Sequence, residues 1–196
     1  VVGAAGELFS VRRELYEPVA ENVILDDFII SMKVAEKGYR VVYEPNAYAM
    51  ELPSFSLKDE RKRKIRIAAG GFQAMTMLPG SLKFWGNFKL SFLYISHRVL
   101  RWTLSPLCLV LAFAANVVLA IKSDFLLYQV LLIGQLVFYG MGLIGAVTRT
   151  SMKLFKLSYY FAFMNLSVIM GFFRFLKGKQ PATWEKAKRM QAANVE

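Results

Sequence analysis

The stretch LDDFIISMKVAEKGYRVVYEP, Leu25 to Pro45, decides how the first half of the chain is read. It opens on two adjacent acids. Carboxylates at a helix N-terminus accept orphan amide hydrogen bonds and interact favourably with the helix dipole, so Asp26 and Asp27 mark a helix start. Phe28, Ile29, Met32, Val34 and Ala35 then recur at roughly helical spacing as far as Glu36. Gly38 stands where a left-handed residue ends a helix. RVVYEP (40–45) is β-branched and aromatic and is stopped by Pro45, which predicts a strand. An adjacent acid pair also admits a second role. One acid orients the segment while the other serves as a general base, taking a proton from an attacking hydroxyl.

On either side the signals are similar in kind. Residues 1–10, with Gly3 and Gly6, read as a strand or loop near a buried site. VRRELYEPV (11–19) reads as a short polar helix or turn, and NAYAMELP (46–53) as a second extended piece. SLKDERKRKIRIAAGGFQAM (56–75) reads as a basic helix with Gly70 and Gly71 near its end or at a bend. Arg63 and Arg66 lie three apart and share a helix face. Guanidinium forks suit phosphate oxygens, while a basic run of this kind equally suits solvent or anionic lipid.

The charge is lopsided. Residues 1–88 hold 12 Lys/Arg and 11 Asp/Glu, whereas residues 89–196 hold 13 and 3, so most of the net +11 lies in the second half. There the charges punctuate apolar runs rather than form one face, which argues for a membrane protein with basic cytoplasmic flanks and against nucleic-acid binding. FWGNFKLSFLYISHRVLRW (84–102) mixes aromatics with basic residues, as an interfacial amphipathic helix does. TLSPLCLVLAFAANVVLAI (103–121) and FLLYQVLLIGQLVFYGMGLIGAVT (125–148) are charge-free and long enough to span, joined by the polar turn KSD (122–124). Gly134, Gly140, Gly142 and Gly145 suit close helix packing. A third apolar stretch, 158–176, lies between two basic segments, so parity leaves it either spanning or re-entrant. A basic cytoplasmic tail, 177–196, closes the chain. Trp85, Tyr94, Trp102 and Trp184 read as interface anchors. The single cysteine, Cys108, allows no disulfide within the chain, and the single histidine, His97, makes no metal site.

The order and spacing of these features resemble the membrane family 2 glycosyltransferases of bacteria, which include cellulose, chitin, hyaluronan and poly-N-acetylglucosamine synthases. GAAGELFSVRREL is similar to the family's glycine-containing segment before the acceptor-side loop. LDDFIISMKVAEKGYRVVYEPNAYAMELP is similar to its acidic pair, helix and strands, with Asp27 eleven residues before Gly38. RKIRIAAGGFQ stands where the family has QxxRW, a glycine and often a glutamine. Arg66 matches the motif Arg, Arg63 replaces its Gln, and Ile67 replaces its Trp.

The resemblance implies an α/β remnant of a GT-A glycosyltransferase domain over 1–83, then the interfacial helix and an α-helical transmembrane region over 103–176. It implies an inverting hexosyltransferase in the bacterial inner membrane, multi-pass, with its catalytic part cytoplasmic. A sugar would pass from a nucleotide-sugar donor to a polysaccharide or lipid-linked acceptor. Asp27 inherits the base role beside Asp26. Arg66 and Arg63 would bind the donor diphosphate, and Gly3 and Gly6 would belong to the acceptor-side loop. Mg²⁺ or Mn²⁺ would be held by an Asp-x-Asp site in an upstream half, none occurring in these 196 residues. The chain is thus expected to be a C-terminal fragment, inactive alone. A transferase adding one sugar to a polyprenyl phosphate, and a non-enzymatic scaffold or channel with lipid-binding loops, are the competing expectations.

Overall fold

The computed structural model describes residues 3–4, 6–50, 57–148 and 152–178. The expectations for 51–53, for part of the basic segment after 148, and for the tail with Trp184 lie outside the described residues. The chain forms two compact units, Val1–Trp102 with Met170–Glu196, and Thr103–Ile169.

In the first unit, α1 (Asp26–Glu36) begins at the acid pair, and α2 (Leu57–Met77) is the basic helix. They are followed by α3 (Phe88–Tyr94), a π-helical turn (Ile95–Val99) and the short α4 (Leu100–Trp102). Gly38 ends α1 as its position requires: it adopts φ +91° and its N–H donates to the Ala35 carbonyl at 3.0 Å. Asn87 caps α3, its Oδ1 accepting from the Leu90 N–H at 3.1 Å. The core gathers Val23, Phe28, Ile29 and Met32 around Ala74, Leu78 and Tyr94. Burying an Ile29 or a Met32 contributes about 1.5–3 kcal/mol each.

Three expectations are corrected here. Every regular element among the described residues is helical, so the chain does not form an α/β remnant of a GT-A domain. Segment 40–45, expected as a strand, is irregular chain ending in a turn. The physical reason is that β-branched and aromatic residues favour a pleated, half-buried surface, and a ladder needs a neighbouring strand. Val42 and Tyr43 are largely exposed instead. The chain then closes locally on Glu44, whose carboxylate accepts from the Asn46 N–H at 3.1 Å and whose carbonyl accepts from the Ala47 N–H. Tyr94 and Trp102, expected as interface anchors, are buried in the first unit, while Trp85 is 91 % exposed.

The second unit is built on α5 (Leu104–Lys122) and α6 (Leu126–Thr148), with α7 (Lys153–Leu176) contributing residues up to Ile169. Asn116 on α5 donates to Gln135 Oε1 on α6 at 3.0 Å, a polar link inside an apolar helix pair. Of the four glycines, Gly142 and Gly145 meet the backbone of α7 at Ser158 and Phe155, and Gly134 and Gly140 touch nothing nearby. Helix α7 is unbroken through Asn165, whose Nδ2 donates to the Phe161 carbonyl one turn back. Helices α5, α6 and α7 are each long and apolar enough to cross a membrane. Most of their large apolar side chains face outward, as in a multi-pass membrane protein.

Candidate active site

One stripe of α2 organises the site. Arg63, Arg66, Gly70 and Gln73 recur at helical spacing, so they lie on one face. Each meets the chain between Glu7 and Asp27. Arg63 pairs with Glu7 at 3.4 Å, tying α2 to the N-terminal loop. Arg66 is half-buried, and burial lowers its pKa, opposed by the field of Asp26 and Asp27, which favours its charge. A Cβ at Gly70 would fall 2.6 Å from Leu25 Cγ and 2.8 Å from Ile24 Cγ2, so the segment entering α1 packs on bare helix backbone. Gln73 bonds to the backbone of Asn22 and Ile24.

Asp27 is half-buried in the first turn of α1, and Asp26 beside it is exposed. Leu25, the residue before the helix, makes no side-chain cap. Burial raises the Asp27 pKa above the ordinary carboxylate range. The backbone amide of Phe28 pulls it down, and Asp26 and Glu7 push it up. Gly6 sits against this carboxyl group, for a Cβ there would stand 3.1 Å from Asp27 Oδ2. Gly3 adopts φ +78° and passes over the Phe28 ring, where a Cβ would come within 2.3 Å. The loop expected on the acceptor side therefore lies against Asp27 and Phe28.

A second guanidinium belongs to the group. Arg98 lies in the π-helical turn, 5.2 Å from the Phe28 ring centroid and 5.9 Å from that of Trp102. Burial and then Arg101 lower its pKa, and Asp27 and Tyr94 oppose this. Burial also pushes the Tyr94 hydroxyl up to about 12. A π-turn re-aims the side chains of a helix and is frequent at functional sites. An open cleft of about 1100 Å³ adjoins the group, lined among others by Gly3, Glu7, Ser31, Tyr39 and Arg98. Gly6, Asp26, Asp27, Arg63 and Arg66 do not line it.

All six residues expected from sequence thus lie in one unit. Asp26, Asp27 and Arg66 share a field, Gly6 touches Asp27, Gly3 touches Phe28, and Arg63 is engaged by Glu7. Sequence reading gave no role to Glu7 or Arg98, and it noted Gln73 only as the glutamine closing the RKIRIAAGGFQ run, about two turns from Arg66. Arg98 carried no local signal, since its aim depends on the π-turn.

The family comparison fits this arrangement. The model of glycosyl transferase family group 2 matches residues 1–176, which include the acid pair, the basic helix and all three apolar helices. The chain belongs to glycosyl transferase family group 2. No curated protein and no solved structure matches it. For this family member, no cluster of three or more His, Cys, Asp or Glu side chains suited to a metal ion occurs among the described residues.

Proposed function

We propose that this family member is an inverting glycosyltransferase of the bacterial inner membrane, moving a sugar from a nucleotide-sugar donor to a polysaccharide or lipid-linked acceptor at the cytoplasmic face. The observation that carries the reading is the half-buried Asp27 carboxyl group, touched by Gly6 and sharing its field with Arg66. Burial makes Asp27 a better proton acceptor than an exposed aspartate, which is what a base needs near neutral pH.

In this reading the acceptor hydroxyl attacks the anomeric carbon, Asp27 takes the hydroxyl proton, and the nucleoside diphosphate leaves from the opposite face. One displacement inverts the configuration. Arg66 steadies the negative charge that gathers on the departing diphosphate. Arg63 reaches the same ligand only by releasing Glu7, so its contribution is the smaller. Asp26 adds charge to the field without facing the hydroxyl. Base catalysis of this kind contributes about 10²–10⁴-fold. Mg²⁺ or Mn²⁺ would be a cofactor held by groups other than the described residues, and no step here is routed through it. Helices α5 and α6 would cross the membrane as a hairpin whose basic flanks stay in the cytoplasm; a third crossing by α7 would carry the basic tail to the far side, whereas a re-entrant α7 would keep it in the cytoplasm.

The test is product analysis with the full-length protein in lipid nanodiscs, supplied with nucleotide sugars and membrane lipid. The reading predicts a new glycosidic bond whose anomeric configuration is opposite to that of the donor. Retention would refute single displacement, and absence of nucleotide-sugar turnover would refute the activity. Product length separates polymer synthesis from transfer of one sugar to a lipid phosphate.

A further inference from the structure

We infer that Gln73 is a positioning residue for the acid pair: its carboxamide ties the backbone of Asn22–Ile24 to α2 and so fixes where α1 starts and where Asp27 points. This rests on the reading of Asp27 as the base. Gln73 Oε1 accepts from the Ile24 N–H at 2.9 Å, and Gln73 Nε2 donates to the Asn22 carbonyl at 2.9 Å. One side chain thus satisfies a donor and an acceptor two residues apart. Between them Val23 is buried in the core, so this short piece is held from both sides. The Leu25 side chain makes no cap at the start of α1, and Gln73 holds the backbone just before it from outside the helix.

Only Leu25 and Asp26 separate Ile24 from Asp27, and α1 begins at Asp26. An error at Ile24 is carried into the carboxyl group with little loss. Arg66 rides on the same helix as Gln73, so the clamp keeps the base and the diphosphate partner in one frame. The chemistry of the clamp is specific to a carboxamide of this length. Glutamate keeps an acceptor for Ile24 and lacks the donor for Asn22. Methionine keeps the length and has neither strong group.

The experiment compares wild type, Gln73→Met and Gln73→Glu as full-length proteins in nanodiscs, with two readouts. The first is amide hydrogen exchange of the peptide spanning residues 19–31. The clamp predicts exchange about tenfold faster there in Gln73→Met, since a lost hydrogen bond frees the amide it held. The α2 peptides should stay unchanged. The second is steady-state kinetics per folded protein. Here kcat should fall about 10–100-fold while KM for the nucleotide sugar stays within about twofold, as for a misplaced base. Gln73→Glu should fall between Gln73→Met and wild type.

The pH profile separates positioning from mere folding. Asp27 faces Asp26 on its own helix, Glu7 from the N-terminal loop, Arg66 from α2 and Arg98 from the π-turn. Loosening the segment admits water to Asp27, so the acid limb of kcat should move to lower pH. A residue needed only for folding would lower the yield and leave the limb in place, which would overturn the inference. So would a Gln73→Met variant that exchanges and turns over like wild type. If Gln73→Met does not fold, Gln73→Glu decides by the same two criteria. If wild type transfers no sugar, the proposed activity fails, and the exchange readout alone upholds or overturns the clamp.

Discussion

Replacing Gly70 by alanine adds one methyl group at the point where α2 carries the segment that leads to Asp27. The new carbon would stand 2.6 Å from Leu25 Cγ, where ordinary contact begins near 3.4 Å, a shortfall of about 0.8 Å. Ile24 is held more firmly, being 6 % exposed and bonded through its N–H to Gln73, and it would be met at 2.8 Å. Helix propensity favours alanine by about 1 kcal/mol, and overpacking costs about 1–3 kcal/mol, so the net loss of stability is about 0–2 kcal/mol. The folded protein survives with its acid pair displaced by a large fraction of an ångström. A displacement near 1 Å costs about 10²-fold in rate, so kcat should fall by roughly one to two orders of magnitude at unchanged donor affinity. The assay is initial rates and donor titration in nanodiscs, with thermal unfolding measured alongside. Gly71→Ala is the control, because its methyl group would strike the Trp102 ring at 2.7 Å rather than the segment before α1. It should lower the melting temperature and affect kcat less. Gly70→Ala turning over like wild type would refute the argument that close packing at Gly70 sets the base.

Three further outcomes are expected. Burial raises the Asp27 pKa, and the base works only when ionised, so kcat should be lost as pH falls through a value above the ordinary aspartate range. A profile flat to pH 4 or below would contradict this, since about 3.9 is the unperturbed aspartate value. Arg66→Ala should weaken nucleoside-diphosphate binding about 10–100-fold by isothermal titration, the loss of one or two charge-assisted hydrogen bonds. Equal affinity would remove the role. In the second unit, a Cβ at Gly145 would meet the Phe155 carbonyl at 2.8 Å, so Gly145→Val should destabilise the packing of α6 on α7 by about 1–3 kcal/mol, read as a lower melting temperature. Gly134→Val, with nothing nearby, should leave it unchanged.

The helices were legible because their signals are local. The acids, the apolar spacing and Gly38 bound α1 within the sequence itself, and charge-free runs of 19 and 24 residues bound α5 and α6. The strand at 40–45 was misread because a strand is not local. RVVYEP has the composition of one, and composition supplies no partner for its backbone. Tyr94 and Trp102 were misread for a related reason. An aromatic near a membrane end and an aromatic in a core have the same sequence, and only Gly71, which makes room for the Trp102 ring, marks the difference. Motif order singles out Asp26, Asp27 and Arg66, and the structure brings these three into one field. Arg98 was not legible, because the five-residue π-turn that aims it leaves no mark in the apolar pattern.

Asp27→Asn in the full-length protein is the most direct measurement of the central claim. It keeps the shape of the side chain and its place beside Gly6 while removing the basic oxygen. Single-turnover transfer at saturating nucleotide sugar should fall by about 10²–10⁴-fold, with the donor dissociation constant unchanged. Transfer at the wild-type rate would show that the proton leaves the acceptor by another route, and that Asp27 does no more than begin a helix.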